Sequence, residues 1–346
     1  SILFYIMKHT LLKFLVLALF AHTIISQSLP SCRNHKGESV DWFLIYYTPA
    51  SIARSMGMDT CTWTVHQLKA SLISMMEMET NKGPLDRTIG QSTTSSLAWN
   101  DQPDIGSQDS NKAHSKFFMA YDDNHHGYAI VHSVPKYPST SQDGEFLPTI
   151  DDSQKKNGQH LFCMTVQDSD TVEKLKENGC FISPNIYHLH HQEIFADLFR
   201  TKMVIFVNAG TFEQVEYNIG DTKVRAIYKN GKNTYADIFA DPEGMTSFLA
   251  SVVIQTWQTP YDIYCEGKYH VLNSEKIVLA KGVEWPQTKD HSKYSYALDN
   301  DYVCFGDLNR NTEAQKRRGG AFYCFESSHL NAALKKINPR KDTNQC

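Results

Sequence analysis

The chain has 346 residues, of which 41% are hydrophobic and 21% are charged, enough to bury the core of one large domain or two smaller ones. Its formal charge of −4 at pH 7 lacks the basic excess that is typical of a constitutive DNA-binding protein. The absence of GxGxxG, GxxxxGK[ST], HExxH and GxSxG excludes the common motif-based classes of nucleotide-binding proteins, zinc proteases and serine hydrolases.

The N-terminus predicts a targeting segment that the mature protein loses. A short basic start at Met7–His9 precedes an apolar run from Leu15 to Ile25, which is short for a membrane span of about 20 residues. We predict a leader and signal peptide over residues 1–27, with a membrane anchor as the less favoured alternative. No second apolar run approaches spanning length, so no membrane anchor is expected after processing.

Processing and acid both change the net charge. Loss of Lys8 and Lys13 gives −6 at pH 7, and thirteen of the 15 histidines remain. Because histidine titrates at about pH 6.5, charging all thirteen would bring the net charge to +7. The chain would then attract a polyanion in acid; the alternative is that histidine is merely frequent here.

The first half of the mature chain, residues 28–184, predicts an N-terminal lobe. A buried strand over Val40–Tyr47 is followed by an amphipathic helix over Val65–Met78 and a long polar loop over Gly90–Ser110. Strands over His114–Tyr121 and Tyr128–Val134, joined by an Asp/Asn turn, predict a hairpin. The remaining predicted elements are a polar loop and a strand, over Tyr137–Gln159 and Leu161–Val166.

The second half, residues 185–346, predicts a C-terminal lobe. Two of its segments have helical patterns, Gln192–Thr201 and Phe239–Trp257. Three others are typical of strands: Lys202–Asn208, Tyr269–Ala280 and Tyr302–Gly306.

The most informative feature is a nine-residue stretch that occurs twice. The copies begin at His114 and His291, 177 positions apart, and five of the nine positions are identical. Each copy is typical of a strand, in which side chains at i and i+2 share a face, so His114 projects with Lys116 and His291 with Lys293. Both copies follow a polar stretch and lead through an acidic turn into a returning strand, which predicts an internally duplicated α/β architecture.

Two such pairs facing each other would surround one phosphate with two imidazoles and two ammonium groups. One imidazole can attack phosphorus and the other can protonate the leaving oxygen, while the lysines stabilise charge without a metal ion. Because one histidine must be neutral and the other charged, activity is expected to peak in mild acid. A single His-x-Lys is most often a solvated strand edge, so it is the repetition that favours a functional pair.

Polar residues also follow each returning strand. His132 and Ser133 come after the first copy, and Asp307 and Asn309 after the second. Asn309 is suited to donate to a phosphate oxygen and Asp307 to orient an imidazole; the alternative is ordinary turn chemistry. The basic loop Lys316–Gly320 is equally compatible with a phosphate contact and with a solvated surface loop.

Cysteine and histidine spacings bear on disulfides and metals. All eight cysteines lie beyond the targeting segment, and an even number in a secreted chain favours disulfides, whose pairing the spacing leaves open. His188 and His190 would share a strand face, yet no cysteine or carboxylate constellation accompanies them, so we predict no metal site and no cofactor. The chain has no Asn-x-Ser/Thr sequon, so no ordinary N-glycan is expected.

Several motifs together resemble the deoxyribonuclease II family over nearly all of the mature chain. They are VDWF, NDQP, AHSK, VHSVP, DHSK, GDLNR and RGG, which begin at Val40, Asn100, Ala113, Val131, Asp290, Gly306 and Arg318. The combination of HSVP with DHSK and GDLNR is the most specific part of the resemblance.

The resemblance implies a metal-independent acid endonuclease that cuts DNA and leaves 3′-phosphate ends. It also implies a phospholipase D-like α/β (α+β) pseudodimer, two lobes with mixed β-sheets and the site between them. The family's catalytic histidine in DHSK falls on His291, its other His-x-Lys on His114 and Lys116, and a further site histidine on His132. We favour His114 as the nucleophile and His291 as the acid.

The resemblance also implies disulfides and a location. The family's disulfides correspond to Cys32 with Cys163, Cys265 with Cys346, and Cys304 with Cys324, which leaves the pairing of Cys61 and Cys180 open. Family members are usually glycosylated for lysosomal delivery, so the missing sequons favour secretion over the lysosome.

Two other functions stay open at this point. One is a catalytically weak or inactive secreted paralogue that binds DNA or a host protein. The other is a phosphodiesterase acting on lipid, which is disfavoured because no apolar surface segment suits a membrane.

Overall fold

The computed structural model describes residues 29–56, 58, 61–67, 74–77, 83–191, 211–231, 237–248, 250–257, 264–265, 267–280, 283–310, 317–339 and 346. Within these ranges the protein is a mixed α+β structure built mainly from strands, with few helices. The predicted targeting segment, and the elements predicted over Gln192–Thr201 and Lys202–Asn208, lie outside the described residues.

The first sheet has eight strands in the order β3-β2-β1-β7-β6-β5-β4-β8, and its pairings are antiparallel. Its strands are β1 (Trp42–Tyr47), β2 (Cys61–His66), β3 (Ser74–Glu77), β4 (Ser95–Asn100), β5 (Lys116–Tyr121), β6 (Gly127–His132), β7 (Gln159–Val166) and β8 (Ile186–His190). The edge strand β8 begins just after residue 184, so this sheet takes in residues from both sides of the proposed lobe boundary.

The second sheet has seven strands in the order β12-β11-β15-β16-β17-β10-β9, with β11 and β12 parallel. The strands of the second half are β9 (Phe212–Ile219), β10 (Thr222–Lys229), β11 (Val252–Gln255), β12 (Val271–Asn273), β13 (Lys276–Ala280), β14 (Val283–Pro286), β15 (Tyr294–Ala297), β16 (Tyr302–Gly306) and β17 (Gly320–Glu326). Of these, β13 and β14 form a separate two-stranded ribbon.

In the described part of the chain, four α-helices flank the sheets. They are α1 (Ala50–Ser55), α2 (Pro84–Ile89), α3 (Ser169–Phe181) and α4 (Ser328–Ile337). Helix α3 begins where the Asp168 side chain accepts the main-chain N–H of Thr171 at 2.7 Å, a standard N-cap. In α4 the buried residues Leu330, Leu334 and Ile337 recur at helical spacing and form the face that packs on the core. Short 3₁₀ turns lie at Asp152–Lys156, Met245–Phe248 and Gln287–Lys289.

The two sheets pack face to face. Alternation along β1 sends Trp42 toward the second sheet and Phe43 into the core on the other side, and all six residues of the strand are buried. Between the sheets, Phe162 of β7 stacks on Phe305 of β16 and Phe325 of β17, with ring centroids 4.8 and 5.4 Å apart. The interface between the halves is therefore a continuous hydrophobic core.

The strand order around the two motif copies is the same in both sheets. The order β1-β7-β6-β5-β4 in the first sheet corresponds to β10-β17-β16-β15-β11 in the second. In each case the chain runs from the motif strand through two neighbouring strands into a helix, β5-β6-β7-α3 and β15-β16-β17-α4. The two copies therefore occupy equivalent places in their sheets.

Four predicted elements differ from the structure. The segment Val65–Met78 contains the end of β2 and all of β3, Gly90–Ser110 contains β4, and Phe239–Trp257 contains a 3₁₀ turn and β11. The helix predicted over Phe239–Trp257 is wrong because a short buried apolar run has no periodicity that separates a strand from a helix. Within it, the β-branched residues of Val252–Ile254 favour a strand. The single strand predicted over Tyr269–Ala280 is two strands, β12 and β13, that belong to different sheets.

Three disulfides join the pairs that the resemblance implied: Cys32–Cys163, Cys265–Cys346 and Cys304–Cys324. Cys61 and Cys180, whose pairing the sequence leaves open, are each a buried thiol outside any disulfide. Across the described part of the chain, no helix is both long and apolar enough to cross a bilayer.

Candidate active site

Both His-Ser-Lys copies lie at the interface between the two sheets. The main-chain N–H of His114 donates to the carbonyl of Gly319 in the second half, at 2.9 Å. The main-chain N–H of His291 donates to the carbonyl of Gly158 in the first half, at 2.8 Å. Each copy is thus held by the main chain of the opposite half, which fixes the two copies relative to each other.

The His114 ring is buried and hydrogen-bonded at both nitrogens. Its Nδ1 contacts the main-chain oxygen of Asp307, and because a carbonyl only accepts, Nδ1 carries the proton and Nε2 the lone pair. The side-chain amide of Asn309 donates to Nε2 at 3.3 Å. Burial holds the pKa of His114 well below its ordinary value, and the charges of Lys116 and Lys293 lower it further. His114 is therefore neutral, with a lone pair on Nε2 that faces the Asn309 amide.

The His291 ring is partly exposed and lies in a positive field. Burial lowers the pKa of His291 to about 3, with the charges of Lys293 and Lys116 acting in the same direction. Lys293 donates from Nζ to the main-chain oxygen of His291 at 2.5 Å. Burial lowers the pKa of Lys293 to about 7, and the nearby ammonium of Lys116 also lowers it. Each histidine thus lies within electrostatic reach of the lysine from the other copy.

Lys116 belongs to a buried ion-pair network. Its Nζ donates to one carboxylate oxygen of Asp101, while the guanidinium of Arg318 donates to the other at 3.0 Å. Arg318 also donates to the main-chain oxygens of Lys112 and Ala113, at 2.8 and 3.1 Å. Burial alone would raise the pKa of Asp101, but Lys116 and its neighbouring cations hold it below its usual range. Arg318, in the second half, therefore binds the segment just before His114, where the first motif copy begins.

The serine of each copy is hydrogen-bonded across the interface. The hydroxyl of Ser115 donates to the carboxylate of Asp307 and accepts the indole N–H of Trp99 at 2.8 Å. In the second copy the hydroxyls of Ser292 and Tyr46, which belong to opposite halves, lie 2.9 Å apart. The serine between histidine and lysine is therefore a structural contact between the halves in both copies.

A buried carboxylate, Asp290, organises the second copy. It accepts from the hydroxyls of Tyr46 and Ser292, from the main-chain N–H of Ser292 at 2.8 Å and from the indole of Trp285 at 2.8 Å. A Cβ on Gly158 would lie 2.6 Å from an Asp290 carboxylate oxygen, so this close approach requires glycine. The carboxylate fixes the backbone that presents His291.

Two fully buried histidines lie behind the lysines. His132 accepts the main-chain N–H of Val134 at its Nδ1, at 3.2 Å, and His160 accepts that of Lys293 at 3.2 Å. The Nε2 atoms of both have no hydrogen-bond partner among the described residues. Burial holds the pKa of each histidine well below its ordinary value, with Lys116 lowering that of His132 and Lys293 that of His160. Both rings are therefore neutral, and His160 holds the main chain of Lys293.

The sequence-predicted site residues have different kinds of contact in the structure. Lys116 and Lys293 lie within electrostatic reach of each other and of both His114 and His291, and Asn309 contacts the His114 ring. The Ser133 hydroxyl donates to the Gln159 side chain at 2.6 Å, and the Asp307 carboxylate accepts the main-chain N–H of Ala321 at 2.9 Å. Asp307 contacts the His114 imidazole through its main-chain oxygen rather than its carboxylate. These hydrogen bonds place Ser133 and Asp307 within the supporting structure.

A sequence model described as Deoxyribonuclease II matches residues 31–346 of the chain. The protein belongs to the deoxyribonuclease II family. Among its curated relatives, Plancitoxin-1 of Acanthaster planci is 27% identical over 95% of this chain and 97% of that protein. Deoxyribonuclease-2-beta of Mus musculus is 25% identical over 89% of this chain and 90% of that protein. Deoxyribonuclease-2-alpha of Sus scrofa is 25% identical over 89% of this chain and 88% of that protein.

Sequence reasoning missed three supporting residues of this deoxyribonuclease II family site. Asp101 and Arg318 occur in motifs that carry the resemblance, but nothing local shows that they pair over 217 positions. His160 had a weaker signal, a polar residue directly before the strand predicted from Leu161. The described residues contain no group of three metal-ligating side chains that could hold an ion.

Ser115→Ala is expected to lower the free energy of unfolding by about 1–3 kcal/mol, because it leaves the buried Asp307 carboxylate and the Trp99 indole short of a partner. Urea denaturation of the purified protein at fixed pH measures the change. The matched control is Ser92→Ala, at an exposed serine, which should change stability by less than about 0.5 kcal/mol. Equal effects of the two substitutions would contradict the structural role of Ser115.

Proposed function

We propose that this deoxyribonuclease II family member is a metal-independent acid endonuclease. It hydrolyses DNA to 3′-phosphate products through a phosphohistidine on His114. The observation that carries the proposal is the contact of His114 Nδ1 with the Asp307 carbonyl, because that contact leaves Nε2 unprotonated and aimed away from the main chain that holds the ring. Relatives that bear the name deoxyribonuclease-2 support DNA as the substrate.

In the first step, His114 Nε2 attacks phosphorus and the bond from phosphorus to the 5′ oxygen of the downstream nucleotide breaks. Protonated His291 gives its proton to that oxygen as it leaves. The upstream nucleotide stays attached to His114 through its 3′-phosphate. Asn309, whose amide lies 3.3 Å from Nε2, is within reach of an oxygen on phosphorus bound there.

In the second step, neutral His291 removes a proton from water, and the resulting hydroxide attacks phosphorus. The bond between phosphorus and His114 Nε2 breaks, which releases the 3′-phosphate and restores the neutral ring. His291 suits this exchange of protons because, unlike His132 and His160, its ring is partly exposed.

Lys116 and Lys293 supply the positive charge that the phosphoryl oxygens require in the transition state. The two lysines are unequal, because Lys116 is paired with the Asp101 carboxylate and Lys293 donates only to a main-chain oxygen in the contacts described. Lys293 is therefore the stronger partner for a phosphate oxygen.

The same electrostatics predict that the activity requires acid. The depressed pKa of His291 means that the ring gains its proton only at low pH, and a bound phosphate anion raises that pKa by opposing the charges of the lysines. Lys293, with its pKa lowered to about 7, is also charged in acid and loses charge as the pH rises. His114 stays neutral because its pKa is lowered by burial. Activity should therefore fall as the pH rises toward neutrality.

We further propose that the two halves are a phospholipase D-like internal duplication, with lobes over residues 28–184 and 185–346. The matched strand orders around β5 and β15, and the helices that follow each set of three strands, support this proposal. The three disulfides fit an oxidising compartment, and we favour secretion over the lysosome.

The assay that tests the proposed activity is nicking of supercoiled plasmid DNA in excess EDTA, scanned from about pH 4 to about pH 8 across the histidine range. We expect nicking in EDTA that is fastest in acid and leaves 3′-phosphate ends. Cleavage that requires added magnesium would refute metal independence. Retention of DNA without any cutting would favour the alternative of an inactive DNA-binding paralogue.

A further inference from the structure

One tryptophan of five is exposed to solvent, and it lies beside the candidate active site. The ring of Trp257 is 42% exposed, whereas Trp42, Trp63, Trp99 and Trp285 are at most 3% exposed. Its ring centroid lies 5.0 Å from that of His291, with the planes 43° apart. A large apolar side chain left in water next to a reacting group is unexplained by packing.

The strand register explains why the indole is there. Strand β11 pairs with β15 so that Gln255 is opposite Tyr294, and Trp257 follows two residues after Gln255. The backbone on this side is fixed, because Thr256 is buried and its hydroxyl accepts the main-chain N–H of Arg310 at 3.1 Å. Trp257 is therefore placed at the edge of the site by the sheet that presents His291.

The equivalent position in the first half holds a different kind of residue. There β4 pairs with β5 so that Trp99 is opposite Phe117, and the residue two places later is Asp101. Asp101 is buried and neutralises Lys116. The two sides of the site thus differ at matched positions: one has a buried carboxylate and the other an exposed indole.

We propose that Trp257 is a stacking platform for a nucleobase adjacent to the phosphate that is cut. The proposal rests on the proposed nuclease function and specifies the substrate that it prefers. Stacked duplex bases do not offer a face to the indole, so Trp257 selects a nucleotide that is single-stranded, frayed or turned out of the duplex. The indole contributes binding energy to every base type, because each base has a π-face.

Binding to His114→Ala, which should not cut, separates base stacking from phosphate contact. Two probes of equal length and charge are used, a thymidine oligonucleotide of about eight residues and an abasic deoxyribose-phosphate oligomer. Thymidine, but not the abasic oligomer, should quench the exposed tryptophan fluorescence. Adding Trp257→Ala to the His114→Ala protein should weaken binding of the thymidine oligonucleotide about tenfold and leave binding of the abasic oligomer unchanged. Trp257→Phe should recover part of the affinity.

Leu189→Ala, at a 39% exposed side chain on the edge strand β8, is the matched control and should bind both probes like the parent. The stacking proposal would be overturned if Trp257→Ala weakened the binding of both probes equally. It would also be overturned if the abasic oligomer quenched the tryptophan fluorescence. Either result would leave DNA binding in place, and binding is measured without cleavage. Failure of this inference and failure of the nuclease proposal are therefore distinct outcomes.

Discussion

His114→Ala is expected to reduce kcat for DNA cleavage by at least about 10⁴-fold, because it removes the atom that forms the bond to phosphorus. The lysines and Asn309 remain in this variant, so DNA affinity should change little. Initial rates of plasmid nicking in EDTA at the acid optimum measure the first quantity, and equilibrium binding of an oligonucleotide measures the second.

The control for His114→Ala must separate chemistry from folding, since His114 is buried and hydrogen-bonded to Asp307 and Asn309. His190→Ala is a suitable comparison, because that ring is partly exposed on the edge strand β8. Circular dichroism and the thermal midpoint of each variant establish that it is folded. Cleavage near the wild-type rate by folded His114→Ala would remove His114 from the nucleophile role.

His291→Ala is expected to slow cleavage of DNA by about 10²–10⁴-fold, because the leaving 5′ oxygen then departs without a proton. Thymidine 3′-(4-nitrophenyl phosphate) offers a sharper test, since nitrophenolate needs no protonation to leave. With this substrate His291→Ala should form the phosphohistidine and release a burst equal to one nitrophenolate per enzyme. Turnover should then stall, because no base activates water for the second step.

The two histidine variants therefore give opposite results with the activated ester. His114→Ala should give neither burst nor turnover, whereas His291→Ala should give the burst alone. A burst from His114→Ala and none from His291→Ala would show that the nucleophile and acid roles are exchanged. Steady turnover by His291→Ala without a burst would refute the assignment of His291 to the second step. Stopped-flow absorbance of nitrophenolate measures both phases.

The repeat in the sequence carries the prediction that His114 and His291 act as a pair. The duplication predicted equivalent places for the two copies. Strand alternation does not account for the His-x-Lys pairs, because His114 lies just before β5, and both His291 and Lys293 lie just before β15. The buried strands β1, β6, β7 and β16 were also predictable, because each has a run of apolar or aromatic residues bounded by turn residues.

The supporting residues were not predictable, because their partners are distant in sequence. The Asp101 carboxylate is neutralised by Lys116 and, once the halves fold together, by Arg318 as well. The contact of Ser292 with Tyr46 spans 246 positions. The role proposed for Trp257 depends on its exposure, and Phe239–Trp257 has the composition of a buried helix. Tertiary pairing with β15 made Val252–Gln255 a strand instead.

The central claim is that the two motif copies bind one phosphate between His114 and His291. A crystal structure of the protein with orthovanadate at acid pH tests it most directly, because vanadate adopts the five-coordinate geometry of phosphoryl transfer with its apical ligands in line. We predict one vanadium bound to His114 Nε2, with the opposite apical oxygen hydrogen-bonded to His291 and equatorial oxygens contacted by Lys116 and Lys293. Vanadate bound to His291, or bound at a position that contacts only one of the two histidines, would contradict the account.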